Sequence, residues 1–197
     1  MPASQRKITP ADILASEKYA GDRAQFRKDI VALKKNRRVE VGPFATFYFE
    51  NYDTMWLQVQ EMLHIEKGGA AQIKGELETY NPLIPQGREL IATLMLEIED
   101  VNRRNRELYR LAGIEESTYI ELGQERIPGT PTDYDERTTP DGKTSSVHWV
   151  RFVFTPEQIA RFKDAAFPAI LGVAHPAYGH MAVLPAEVRA ELAKDFA

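Results

Sequence analysis

The chain of 197 residues has no cysteine. That one absence removes disulfides, thiolate zinc sites, iron–sulfur ligation and a cysteine nucleophile. It also lacks any apolar run near the ~18 residues that a membrane helix needs. Its N-terminus is polar, without the apolar stretch of a signal peptide, so a cytoplasmic protein with no membrane association is expected. Charge of one sign is not in excess: 25 basic against 29 acidic residues leave a net charge of -4. Nothing global therefore calls for nucleic acid as a partner. No internal repeat is visible. A G-x-S-x-G elbow is missing, and Lys143-Thr144-Ser145-Ser146 lacks the glycine-rich loop of a P-loop. What is present is ordinary for a globular protein: 43% hydrophobic and 27% charged residues. Residues 1–197 are long enough to bury one core and read as a single domain.

The stretch at residues 53–67, DTMWLQVQEMLHIEK, is expected to be the helix around which the fold is built. At about 100° per residue, Met55, Trp56, Val59, Met62 and Leu63 form one apolar stripe, while Leu57 and Ile65 form a second. A helix apolar on two sides is covered on two sides, which makes Glu61 and Glu66 candidate buried carboxylates in need of a cation, a metal or dense hydrogen bonding. Ahead of it, Thr9-Pro10-Ala11-Asp12 has the form of a helix start, and helix is expected onward to about residue 38. This N-terminal segment is basic, with Arg23, Arg27, Lys34, Arg37 and Arg38 read mainly as a solvated face.

Strands are expected at residues 39–41 and 44–50, joined by Gly42-Pro43. The segment 89–99 is another, with Leu90, Leu94, Leu96 and Ile98 on one face and Ile91, Thr93, Met95, Glu97 and Glu99 on the other. A helix at 101–112 follows, then a hairpin at 118–127 and a long mobile loop at 128–146 rich in Thr, Pro, Asp and Gly. Strands at 147–154, 169–174 and 181–184 close the chain, the first placing His148, Val150, Phe152 and Phe154 together. The fold class is α+β: a mainly antiparallel sheet packed around a buried central helix, with additional peripheral helices.

Three of the four histidines, His148, His175 and His180, lie on or beside the C-terminal strands. Histidines at the ends of adjoining strands can converge on one ion, and Glu61 or Glu97 could add a carboxylate. With no thiolate available, iron, manganese or zinc would suit such a set. Each histidine also has a plain reading as a hydrogen-bonded packing residue. Glu61 and His64 spell E-x-x-H, but no second copy exists to complete a di-metal bundle site. Arg151, between Trp149 and Val153, has the setting of a guanidinium that holds a carboxylate or an anionic ligand, with Arg103 and Glu97 as companions.

The stretches LQVQEML with IEK, ETYNPLIPQGREL, ATLMLEIED, KTSSVHWVRF and GVAHPAYGH, in that order, resemble the bacterial family known as domain of unknown function 3501, from about Ile8 to Leu192. The YNPLIP and HPAYGH segments are its most specific parts. The family brings no established activity. The resemblance implies a context: such proteins are similar to those encoded beside rubrerythrin-type di-iron proteins and iron–sulfur oxidoreductase subunits. Within it, Glu61, Glu66, His148, His175 and His180 fall inside the matching motifs, and the position of His64 more often holds Arg.

Three functional expectations follow. The first is a metal-binding protein, with iron or zinc held by His148, His175, His180 and Glu61, in a redox or oxidative-stress setting. The second is a non-catalytic accessory protein, which docks on a redox partner through the basic N-terminal face. The third is a metal-free binder of a small anionic ligand through Arg151, Arg103 and Glu97. A homodimer is compatible with all three.

Overall fold

A computed structural model describes residues 6–132 and 137–197. After a 3-10 turn at Pro10–Asp12, the elements in chain order are α1 (Ser16–Lys35), β1 (Arg38–Val41), β2 (Ala45–Phe49), α2 (Tyr52–Glu66), α3 (Gly69–Tyr80), β3 (Glu89–Leu96) and α4 (Val101–Arg110). They continue with β4 (Thr118–Leu122), β5 (Glu125–Pro131), β6 (Val147–Val153), α5 (Pro156–Lys163), β7 (Ala169–His175), β8 (Tyr178–Val183) and α6 (Ala186–Leu192). All eight strands join one antiparallel sheet in the order β1-β2-β3-β6-β5-β4-β7-β8. Its two edge strands, β1 and β8, come together, so the sheet is a nearly closed barrel.

Strand alternation decides what fills it. Phe47 and Phe49 from β2, Leu90 and Leu94 from β3, and Val150 and Phe152 from β6 are buried on the inner face. One end is stoppered by Leu108, Leu111 and Ile114, from α4 and the turn after it. The other is stoppered by an edge-to-face cluster of Phe154, Phe162 and Phe196. The α+β class and the antiparallel sheet are as expected, but the central helix is not. The sheet closes around its own side chains, and α2 lies outside the barrel wall.

There α2 belongs to a second apolar cluster, with Tyr19, Leu77, Leu83 and Ile84 and with Ile91 of the sheet. The two stripes expected on it are unequal in the structure. Met55, Trp56, Val59 and Leu57 are buried, whereas Ile65 is 63% exposed and Glu66 is exposed. The helix is capped by Asn51, whose side chain accepts from the Thr54 amide at 3.0 Å. It ends at Lys67 in the left-handed conformation.

Two further expectations change. Thr9-Pro10-Ala11-Asp12 forms a capped 3-10 turn, and the long helix starts only at Ser16. The expected loop at 128–146 opens with strand, because β5 runs on to Pro131 against β6. Beyond residue 136 it carries a bridge between Thr138 and Thr144. Residues 133–136 of that loop lie outside the described residues.

The seam between β1 and β8 is held by one phenol. The Tyr178 hydroxyl donates to the Val41 carbonyl at 2.6 Å and accepts from the Ala45 and Phe44 amides at 3.0 and 3.2 Å. Gly42, at φ +72°, makes this approach possible: a Cβ there would lie 2.7 Å from that hydroxyl and 2.6 Å from the His180 ring. At the far end Arg37, only 1% exposed, donates to the Phe49 and Glu50 carbonyls and is paired with Asp195 and Glu191 of the C-terminal segment. It was expected in a solvated basic face. Its burial shows that the cation serves the fold, since an uncompensated interior charge would be costly.

Tyr178→Phe leaves the Val41 carbonyl and the Ala45 amide, both buried, and the part-buried Phe44 amide without this partner. It should cost about 1–3 kcal/mol and lower Tm by roughly 3–10 °C. Tyr109→Phe, at an exposed tyrosine, should change stability by no more than about 0.5 kcal/mol. Thermal unfolding of both variants checks the difference.

Candidate ligand-binding site

The helical layer outside the barrel is assembled from side-chain pins. Asn81 accepts from the Ile8 amide at 2.7 Å and donates to the Ile8 carbonyl at 3.0 Å. The Trp56 indole donates to the Asp12 carbonyl at 2.8 Å. Between these two points the N-terminal segment is held away from α2 and α3, and a cleft of about 570 Å³ opens beside it. Ile13, Leu14, Leu63 and Ile73 make its walls apolar. Past Pro10, Ala70 and Ile73 it continues into a more open depression of about 710 Å³, flanked by Lys7 and Lys74.

Two polar side chains one helical turn apart line this cleft, Gln60 and His64 of α2. Gln60 is 2% exposed, and its amide nitrogen has no hydrogen-bond partner. The His64 Nδ1 is likewise buried and unpartnered. The His64 ring stands edge-on to Tyr19 at 5.8 Å. Beside them Glu61 is saturated: Arg23 grips both of its oxygens at 2.8 and 2.7 Å, and the Tyr19 hydroxyl donates to it at 2.6 Å. The Arg23 bond is the main reason its carboxyl is held down at about 2. Burial and the Glu61 carboxylate together push the Tyr19 phenol up.

The residues expected to ligate metal lie in different parts of the fold. His148 is inside the barrel end, donating from Nε2 to the Ser145 carbonyl at 2.8 Å and facing Glu115 at 3.5 Å. His175, at the β7–β8 turn, bonds the Ala112 carbonyl at 3.2 Å and accepts from the Ala177 amide. His180 is exposed and packs against the Tyr178 ring at 4.5 Å. Glu61 is in the helical layer with Arg23. Among the described residues, no three His, Asp or Glu side chains form a group that could hold an ion.

The expected anion set is also dispersed. Arg151 braces the turn before β3 by donating to the Pro82 carbonyl at 2.9 Å, with Glu89 at 3.4 Å. Arg103 is on α4, over the Phe44 ring at 5.8 Å. Glu97 accepts from Thr46 and Tyr48 and pairs with Arg38.

Sequence reasoning missed Gln60, Glu115 and Tyr178. Only Gln60 left a signal: at about 100° per residue it falls between the two apolar stripes of α2, where a polar group becomes trapped. Glu115 comes from a 3-10 turn with no periodicity to read.

Because the Glu61 carboxyl is depressed in the folded state, its contribution to stability is complete above the ordinary value of 4.5 and is lost as pH falls toward about 2. Glu61→Gln should therefore flatten the acid limb of the stability curve between those values. Urea unfolding at a series of pH values measures this.

No helix among the described residues is long and apolar enough to cross a membrane. No curated protein matches the chain. Among solved structures it is similar to a novel protein of unknown function from Burkholderia pseudomallei K96243, with 35% identity and a TM-score of 0.88. The match covers 97% of this chain and all of the other. The family model described as protein of unknown function (DUF3501) matches residues 7–196. From that match over nearly its whole length, the chain belongs to the DUF3501 family.

Proposed function

We propose that this protein binds a small amphipathic molecule in the cleft between α2, α3 and the N-terminal segment. The observation that carries this reading is the Gln60 amide, 2% exposed and without a partner for its nitrogen. A buried donor left unpaired costs ~1–3 kcal/mol, and a ligand acceptor in the cleft would recover that cost. His64, four residues on, offers a second polar atom to the same head group. The apolar walls and the volume of about 570 Å³ suit a small ligand. The open continuation beyond Pro10 and Ile73 suits an elongated one.

The ligand class is therefore an apolar chain or ring ending in a carbonyl or carboxylate. This reading differs from the anion binder expected at Arg151 and Arg103, which are engaged elsewhere. Lys67 lines the cleft as well and would favour a carboxylate over a neutral carbonyl.

Decanoate, followed by calorimetry, is the test ligand. Wild-type protein should bind it in a 1:1 ratio, and Ala70→Trp should block it by filling the cleft. Gln60→Leu should weaken it about tenfold, equivalent to ~1.4 kcal/mol, while leaving Tm unchanged or raised, since the orphaned amide is removed. Absence of binding, or binding indifferent to Ala70→Trp, would falsify the reading.

A further inference from the structure

Another polar group without a partner stands on the outer face of the barrel, away from the helical cleft. Thr46, Tyr48 and Glu50 alternate outward along and just past β2, while Phe47 and Phe49 point in. Glu50 is 4% exposed. Its Oε1 accepts from the Thr93 hydroxyl at 2.6 Å, and its Oε2 has no hydrogen-bond partner. Arg37 is near but bonds only the Glu50 backbone carbonyl, at 3.1 Å, and its charge is matched by Asp195 and Glu191. The start of α2, directly after Glu50, offsets only part of the cost of a carboxylate taken from water.

This carboxylate lines a cleft of about 350 Å³ whose other walls include the rings of Tyr48, Tyr80 and Trp149 and the thioethers of Met55 and Met95. Lys34 also lines it, and no ion pair joins it to Glu50. A buried anion ringed by aromatic faces is the chemistry that recognises an organic cation: the carboxylate pairs with its charge and the rings with its polarised C–H and N–H edges. The Arg137 guanidinium lies over the same Trp149 ring, 4.6 Å from its centroid.

We propose that this cleft is a binding site for a small organic amine, with Glu50 as the anionic anchor and Tyr48, Tyr80 and Trp149 as the aromatic walls. A neutral molecule of the same shape would leave the carboxylate uncompensated, so the site discriminates by charge.

The test compares phenethylamine with its uncharged analogue 2-phenylethanol, by calorimetry and by NMR on the full chain. The amine should bind at least tenfold more tightly than the alcohol, and Glu50→Gln should erase that preference without altering the alcohol. Lys34→Ala should tighten amine binding severalfold, because the site loses a like charge. In wild-type protein the Glu50 carboxyl carbon and the Trp149 indole resonances should move together along one titration curve, a readout independent of how any variant folds. Equal affinity for amine and alcohol, an amine that binds Glu50→Gln as before, weaker binding in Lys34→Ala, or a titration that leaves the Glu50 resonance in place would each overturn the assignment.

Discussion

The barrel depends on the bonds that cross its one unzipped seam. An antiparallel sheet of eight strands has two raw edges, each a row of backbone groups in want of partners. Here β1 and β8 meet without a ladder between them, and the Tyr178 phenol spans the gap by serving three backbone groups of the β1–β2 turn. Its ring is held between Phe44 and His180, at 4.6 and 4.5 Å. Once that turn is fixed, the inner faces of all strands share one apolar interior, and every helix must find its place outside or across an end. Arg37 secures the opposite end by joining the start of β1 to the final turn of the chain.

The strands were legible because period-2 alternation is a local property. The segments read at 44–50 and 147–154 place the right residues on each face, as does 89–99 up to Leu96, where β3 ends three residues early, and His148 does share the inner face with Val150 and Phe152. Closure was not legible. Nothing in Tyr178 distinguishes it from other tyrosines until the β7–β8 turn brings it to Gly42. The main apolar stripe of α2 was real, whereas of the second stripe only Leu57 is buried; a helix inside a sheet and one caught between a sheet and other helices look alike in sequence. Only the interior aromatics, which already fill the barrel, decide between them. The YNPLIP segment acquires a physical meaning here. Asn81 holds both backbone groups of Ile8, and Pro82 gives its carbonyl to Arg151.

Charge placement separates structural from available groups. Glu61 was read as a carboxylate in need of a cation, a metal or dense hydrogen bonding; its partner here is Arg23, from a segment read as solvated. Glu97 finds Arg38, Glu89 finds Arg151 and Asp195 finds Arg37. Against that background of paired ions, the amide of Gln60, the Nδ1 of His64, the Oδ1 of Asp53 and the second oxygen of Glu50 are among the buried polar atoms without a hydrogen-bond partner. Sequence cannot reveal such exceptions, since pairing is settled by tertiary neighbours 38 to 158 positions away.

The barrel wall divides the apolar interior into two bodies, one enclosed by strands and one between the strands and α1, α2 and α3. Contacts across that wall run mainly through the outward side chains of β3 and β6, such as Ile91 and Trp149. Helices attached in this way can lift as a unit at a free energy below that of global unfolding. Occupation of the helical cleft would then be visible as slowed amide hydrogen exchange in α1 to α3, with the strand amides keeping their own, slower rhythm.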